Sequence, residues 1–279
     1  MAKNLISRYE IIEAMPNLDF EILAIPLLEV YKNQVAIPML EAYQQLQESE
    51  LSLGSFSFYI SVSAVFSSKI EGEQIELDSY VKHKRFGIEF LPDYTRKIDD
   101  LYDAYQFAKV NALSQPNLEA AHAMLTKNIL PAGQQGKTRA SNMYVTTSEG
   151  KIEYVAAPPS NLSAELAKFY HDLDILLNAD LTLHETFYYA AVLHLVFVKI
   201  HPFDDGNGRT GRLLEKWFLG AKLGEKAWLI QSEKMYYQHH QLYYQNLRKL
   251  GLEYEHLDYK LALPFLLMLP KSMEDNQPQ

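Results

Sequence analysis

The segment from Tyr188 to Ile200 is apolar almost throughout and runs straight into His201-Pro202, and it constrains the fold more than any other stretch. It is too long for an ordinary strand and fits a buried helix, since strands usually span about 5–6 residues. Glycines follow at Gly206, Gly208 and Gly211 and formally spell G-x-G-x-x-G. A dinucleotide fold needs a strand just before such glycines, a helix just after, and an acid that ends a second strand. A helix and Pro202 stand there instead, so that arrangement is excluded. The P-loop arrangement fails as well, because Arg212-Leu213 replaces the required Lys-Ser/Thr and the upstream strand is missing. An EF-hand with its glycine at Gly206 would put His201 and Arg212 in ligand positions where calcium needs oxygen.

Helical periodicity also governs the rest of the chain. Residues 22 to 48 carry Ile22, Leu23, Leu27, Leu28, Val30, Val35, Met39, Leu40 and Leu46 mostly at helical spacing, with breaks near Pro26 and Pro38. A helix from about Phe56 to Ile70 stops at Gly72, a C-capping position. Further helices read as 77–85, 96–110, 117–128, 162–178, 184–199, 208–222 and 233–250. The one strand signal lies between Met143 and Val155, where Met143 to Thr147 and Ile152 to Val155 flank the turn Ser148-Glu149-Gly150-Lys151. Pro158 and Pro159 end this hairpin. The expected fold is mainly α, with a weakly marked boundary near residue 90.

The loop at 201 to 212 has its own chemistry. Gly206-Asn207-Gly208 can turn successive backbone N–H groups into one concavity that binds anions. The helix that begins there adds its positive end, and Arg209 and Arg212, three residues apart, share a face of it. Two guanidinium forks over such a nest suit a polyphosphate. Asp205 offers a hard oxygen to a magnesium–phosphate complex, and neutral His201 can take a proton from an incoming hydroxyl. Phe203 pins the loop into the core. Singly, these residues read as a helix end and a turn; their combination within one loop is hard to explain as packing.

Bulk properties exclude several classes. Net charge −9 disfavours nucleic-acid binding, and the absence of cysteine removes disulfides, thiolate metal sites and thiol nucleophiles. No apolar run reaches the roughly 20 residues of a membrane span or forms a signal peptide, so the expected setting is cytoplasmic with no membrane partner. His184, His194 and His201 lack the spacing of a zinc site on one helix.

The stretch from His201 to Arg212 matches H-P-F-x-[D/E]-G-N-G-R-x-x-R, and in this the chain resembles Fic-domain proteins. Gly136-Lys137-Thr138-Arg139 and the hairpin fall where that family has its flap, and Tyr243-Tyr244-x-x-Leu247 resembles its segment near the adenine. The resemblance implies a Fic-type helical bundle with one β-hairpin flap and additional N- and C-terminal helices. Its parts would be 1–90 with an inhibitory motif, 91–232 as the core, and 233–279 as helices packed on that core. It implies transfer of AMP from ATP, with Mg2+, to a Ser, Thr or Tyr hydroxyl of a protein, releasing pyrophosphate. His201 would be the general base and Asp205 the magnesium ligand. Gly206, Asn207 and Gly208 would hold the α- and β-phosphates, Arg209 the β-phosphate and Arg212 the γ-phosphate. Tyr243 would lie at the nucleotide, and Tyr154, Val155, Ala156 and Ala157 would clamp the target by strand-like pairing.

Ser67-Ser68-Lys69-Ile70-Glu71-Gly72 resembles the family's inhibitory pattern [S/T]-x-x-x-E-[G/N]. Ser67 and Glu71 share a helical face, and a carboxylate in the last turn before Gly72 opposes the helix dipole unless a cation meets it. The resemblance makes Arg212 that cation. Glu71 would thereby keep Arg212 from the γ-phosphate and leave the α-phosphate misaligned. Other donors (phosphocholine, UMP or phosphate), AMP removal, and a non-catalytic nucleotide-sensing module are the alternatives. Self-modification and a homodimer are left open.

Overall fold

The computed structural model describes residues 18–52, 57–146 and 150–274. In chain order the helices are α1 (Leu28–Gln34), α2 (Met39–Gln45), α3 (Phe58–Ile70), α4 (Leu77–Phe86), α5 (Pro92–Val110) and α6 (Gln115–Leu125). A hairpin of β1 (Tyr144–Thr146) and β2 (Ile152–Val155) follows. Then come α7 (Pro159–Asn178), α8 (Leu183–Ile200), α9 (Asn207–Leu223), α10 (Ser232–Gln238) and α11 (His240–Arg248). The fold is mainly α with a small antiparallel sheet, and one cluster of buried side chains extends from Leu23 to Met273.

The long apolar segment is a helix for reasons that can be named. Thr182 and Glu185 form a reciprocal capping box at the start of α8. The helix is buried on nearly all sides, which explains why its sequence lacks an amphipathic stripe. α9 packs back along it, so the intervening loop sits at one end of the pair. Gly211 makes that approach possible: a methyl group there would lie 2.7 Å from Val198 Cγ1 and 2.9 Å from His194 Cδ2. The third glycine of the motif therefore serves helix packing.

α3 is equally enclosed. Ser57 caps its start by accepting from Ile60 N–H, and Ser61, Ser63, Ser67 and Ser68 are buried along with its apolar residues. It lies against α5 and α10. A buried polar cluster pins it: Lys216 Nζ donates to Ser63 Oγ (2.8 Å), to Glu233 Oε2 (2.6 Å) and to the Ile230 carbonyl, and Tyr105 OH donates to Glu233 Oε1 (2.7 Å). Asp172 on α7 fixes the N-terminal segment, taking the backbone N–H groups of Glu21, Ile22 and Leu23 at 2.8–2.9 Å.

Several boundaries differ from the sequence reading. Pro159 is the first residue of α7, where its missing N–H costs nothing, so that helix starts earlier than 162. The single helix read at 233–250 is two, broken at His239. On a continuous helix Tyr236 and Tyr243 would be about 10.5 Å apart along the axis. The break brings their ring centroids to 4.9 Å and turns both hydroxyls into the core. The hairpin pairs Tyr144 with Val155 and Val145 with Tyr154, with a register shift after Val145. Thr147, Ser148 and Glu149 of the expected turn, and Phe56 at the expected start of α3, lie outside the described residues. β2 also pairs beyond the hairpin, where Val155 bridges in parallel to Glu253 and its N–H donates to the Leu252 carbonyl at 2.8 Å. No helix among the described residues is long and apolar enough to cross a membrane.

Candidate active site

His201 is the C-cap of α8 and adopts φ 55°, a left-handed conformation seen in no other non-glycine residue among those described. Such a backbone costs free energy and persists where its surroundings over-determine it. Arg139, 3% exposed, supplies that constraint. Its Nε donates to the His201 carbonyl (2.7 Å), Nη1 to the Ser141 carbonyl and Nη2 to the Ala157 carbonyl (both 2.6 Å). Its backbone N–H donates to the Pro202 carbonyl at 2.9 Å. One guanidinium thus ties the end of α8 to both ends of the flap.

The His201 ring is poised as a neutral base. Nδ1 lies 3.3 Å from the Val198 carbonyl, which can only accept, so Nδ1 carries the proton and Nε2 keeps its lone pair. Burial pushes the imidazolium down to about 4, against the pull of the Val198 carbonyl and with Arg139 adding to the effect.

The loop holds itself in shape. Asn207 accepts from Phe203 N–H (2.9 Å) and donates to the Phe203 carbonyl (2.8 Å), while Gly206, at φ 78°, caps α9. The N–H groups of Asn207, Gly208 and Arg209 open the helix, where no intrahelical acceptor reaches them. His122 braces the loop from beneath. It is fully buried and stacked on Phe203 at 3.6 Å, its Nδ1 accepts from Gly136 N–H (2.9 Å), and its Nε2 donates to the Asp205 carbonyl (2.9 Å). Burial pushes its imidazolium to about 4, so it stays neutral in that double role. The Asp205 side chain is exposed at the loop's edge.

Arg209 is 8% exposed, and its Nε and Nη1 have no partner. Buried unsatisfied guanidinium nitrogens are costly, and an anion seated on this loop would satisfy them. Arg212 is different. Its Nε donates to Ser67 Oγ (2.8 Å), and Nη2 to Glu71 Oε1 (2.6 Å) and the Ser67 carbonyl (3.1 Å). The Glu71 backbone is exposed at the end of α3, but its side chain, 24% exposed, turns in to this ion pair. Burial alone would raise the Glu71 pKa; Arg212 and then Arg209 outweigh it and hold the carboxyl below its ordinary value. The carboxylate also lies on the loop itself, since a methyl group on Gly208 would be 2.6 Å from Glu71 Oε1. Gly72, at φ 95°, turns the chain away immediately afterwards.

A cleft of about 720 Å³, counted to its open mouth, is lined by Glu71, His201, Gly208 and Arg212 at one end. Tyr244, Leu247, Arg248, Val145, Glu153, Tyr154, Val198 and Lys199 line the rest. The structure therefore brings together residues read from three separate stretches of sequence: the loop, the end of α3 and the hairpin. Tyr243 also lines the cleft, but its hydroxyl lies within a buried network, 3.4 Å from Arg212 Nη1 and 3.0 Å from His194 Nε2, while His194 Nδ1 pairs with Glu215 at 2.8 Å. Tyr154 is buried and donates to the Lys199 carbonyl at 2.6 Å; Ala156 and Ala157 are buried too, their backbones bonded to Met143 and Arg139. Sequence reasoning did not find His122 and Lys199, and it took Arg139 only as part of the flap. A lone histidine on an amphipathic helix carries no signal, and neither does a lysine two residues before the motif.

A strained histidine, a glycine loop that opens a helix and a β-hairpin thus stand together on a helical bundle. The Fic/DOC family model matches residues 112–219, and over that stretch the chain is similar to a Fic domain. It is 35% identical over 105 residues, 34% of this chain, to a uridine 5'-monophosphate transferase of Xanthomonas campestris, and 35% identical over 81 residues, 29% of this chain, to a protein adenylyltransferase Fic of Nematostella vectensis. The matches span 19% and 17% of those proteins' own length. In fold it is similar to a Fic family protein from Desulfovibrio desulfuricans, with a TM-score of 0.69 and 20% identity over 90% of this chain and 72% of that one.

Proposed function

We propose that this chain is a protein nucleotidyltransferase that moves AMP from ATP to a Ser, Thr or Tyr hydroxyl of a protein, and that Glu71 restrains it. The observation that carries the reading is a neutral His201 sharing its loop with the unsatisfied, buried guanidinium of Arg209. That pairing suits a reaction in which a hydroxyl must be deprotonated beside a polyphosphate.

In the proposed reaction His201 Nε2 takes the proton of the target hydroxyl. The hydroxyl oxygen bonds to the α-phosphorus, the bond to the bridging oxygen of the β-phosphate breaks, and pyrophosphate leaves. The free N–H groups at the start of α9 and the Arg209 side chain offset the phosphate charge. Among the described residues no group of three or more His, Asp or Glu could hold a metal. Magnesium suits the site nonetheless, because it keeps several waters and is usually bound through one or two carboxylates plus substrate phosphates. Asp205 would supply that carboxylate, and a magnesium held there with ATP would offset phosphate charge. A target segment would dock on the hairpin at β1, whose Tyr144 is exposed, because Tyr154, Ala156 and Ala157 are buried and the Val155 N–H is taken by the Leu252 carbonyl.

Glu71 restrains the reaction by occupying Arg212, the second cation of the loop, and by lying against Gly208. The Lys216–Ser63–Glu233 cluster anchors the middle of α3, so release requires movement of its last turn rather than of the whole helix. Relief of a misaligned α-phosphate should raise turnover by about tenfold or more. The test is incubation of the Glu71→Gly protein and magnesium with α-labelled and, separately, γ-labelled ATP, in the presence of a cell lysate. Label on protein from the α position alone supports AMP transfer. Label from the γ position alone, or from neither, refutes it.

A further inference from the structure

Lys199 lies on the last turn of α8, two residues before His201, and is 4% exposed. Among the described residues its ammonium has no hydrogen-bond or carboxylate partner, and its one charge contact is with the ring of Tyr154, 4.1 Å from Nζ to the centroid. The chain treats its other enclosed lysines differently. Lys216 is met by Ser63, Glu233 and the Ile230 carbonyl, and Lys222 by the carbonyls of Leu176, Leu177 and Ala179. The Lys199 ammonium is not sealed from solvent, and from the cleft that the residue lines it can meet a ligand acceptor.

The surroundings say which kind. Gly208, Arg212 and Glu71 line the cleft beside the loop, Val145, Val198, Leu247 and the Tyr244 ring give it apolar walls, and the Glu153–Arg248 ion pair lines it as well. The apolar walls suit a flat ring, and beside them Lys199 is the lysine or arginine of the lining that no carboxylate among the described residues meets. An ammonium has three donors and no acceptor. Of the common nucleobases adenine alone has no carbonyl oxygen, offering ring nitrogens beside a donor amino group, whereas uracil, cytosine and guanine each present a carbonyl.

We infer that Lys199 donates to a carbonyl oxygen of the donor's nucleobase, so that the cleft admits oxo-bearing bases alongside adenine. The inference rests on the nucleotidyl-transfer reading above and deepens it, because it makes this lysine a determinant of donor specificity.

The test is calorimetric titration of the full chain, in magnesium, with the non-transferable α,β-methylene analogues of ATP, UTP, CTP and GTP. The wild-type protein should bind the UTP analogue within about tenfold of the ATP analogue. Lys199→Met keeps the apolar stem and should weaken the UTP, CTP and GTP analogues about tenfold or more relative to the ATP analogue, the size of one hydrogen bond to a charged group. An equal loss for all four analogues, or none, overturns the inference. So does a wild-type protein that prefers the ATP analogue by about a hundredfold or more, an outcome that needs no variant. A Lys199→Met effect confined to labelling of acidic acceptor peptides would assign the lysine to the target instead and also overturn it. If the wild-type chain binds none of the four, the nucleotidyl-transfer reading falls first.

Discussion

Replacing Arg139 with lysine keeps the charge and removes the fork. In the structure the guanidinium donates to three carbonyls, those of His201, Ser141 and Ala157, at 2.6–2.7 Å from a position 3% exposed. A lysine head group is compact and cannot span three acceptors that lie around a planar fork. With one bond retained and two carbonyls left without a donor, the cost is about 1–3 kcal/mol each, or about 4 kcal/mol in all. An unfolding entropy of about 2.1 cal/mol/K per residue gives about 0.6 kcal/mol/K for a chain of 279 residues. The melting temperature should therefore fall by about 7 °C in scanning calorimetry. Arg248→Lys is the control, since Arg248 is half-exposed in its pair with Glu153 and should shift the melt by no more than about 2 °C. A melt of Arg139→Lys indistinguishable from the control would refute the assignment of Arg139 as the clamp on His201.

Gly206→Ala should destabilise the chain by about 1–3 kcal/mol in urea unfolding, because the residue sits at φ 78° and a methyl group would lie 2.7 Å from Thr126 Cγ2; an unchanged midpoint would contradict the cap geometry. Asp172→Asn should cost about 2 kcal/mol or more, since an amide replaces a carboxylate that accepts three backbone N–H groups, and proteolysis near residue 20 should speed up in parallel. His122 takes a proton near its ordinary 6.5 when unfolded but only at about 4 when folded. The unfolded state thus binds more protons between those values, and stability is full above that window and falls as pH drops through it. At pH 5 the loss from this group is about 2 kcal/mol. Urea midpoints of His122→Gln should fall less steeply with acid than those of the wild type, and identical slopes would exclude the effect.

The helical class was legible because α8 and α9 carry long periodic or wholly apolar segments, and the loop was legible because its chemistry is contiguous. Glu71 could be read from its position at a helix end, yet its distance to Arg212 depends on how α3 packs and is not a property of spacing. The break at His239 escaped because nothing local forbids a helix there; the close approach of the Tyr236 and Tyr243 rings across it, 4.9 Å between centroids, is a product of tertiary packing. The pairing of Val155 with Glu253 joins segments about a hundred residues apart, too far for any periodicity to reveal. His122, Arg139 and Lys199 share a property that sequence does not display. Each is a polar side chain in an interior whose partners, or lack of them, are set by tertiary packing.

In the proposed mechanism His201 acts as a base on a nucleotide whose alignment Glu71 prevents. The most direct test compares three proteins, the wild type, Glu71→Gly, and Glu71→Gly with His201→Ala. The measurement is transfer of label from α-labelled ATP to protein, with nucleotide affinity determined on the same samples. The expected result is low transfer by the wild type, a rise of about tenfold or more in Glu71→Gly, and loss of transfer in the double variant with nucleotide binding kept. Transfer by the double variant equal to that of Glu71→Gly, or no rise on removing Glu71, would contradict it.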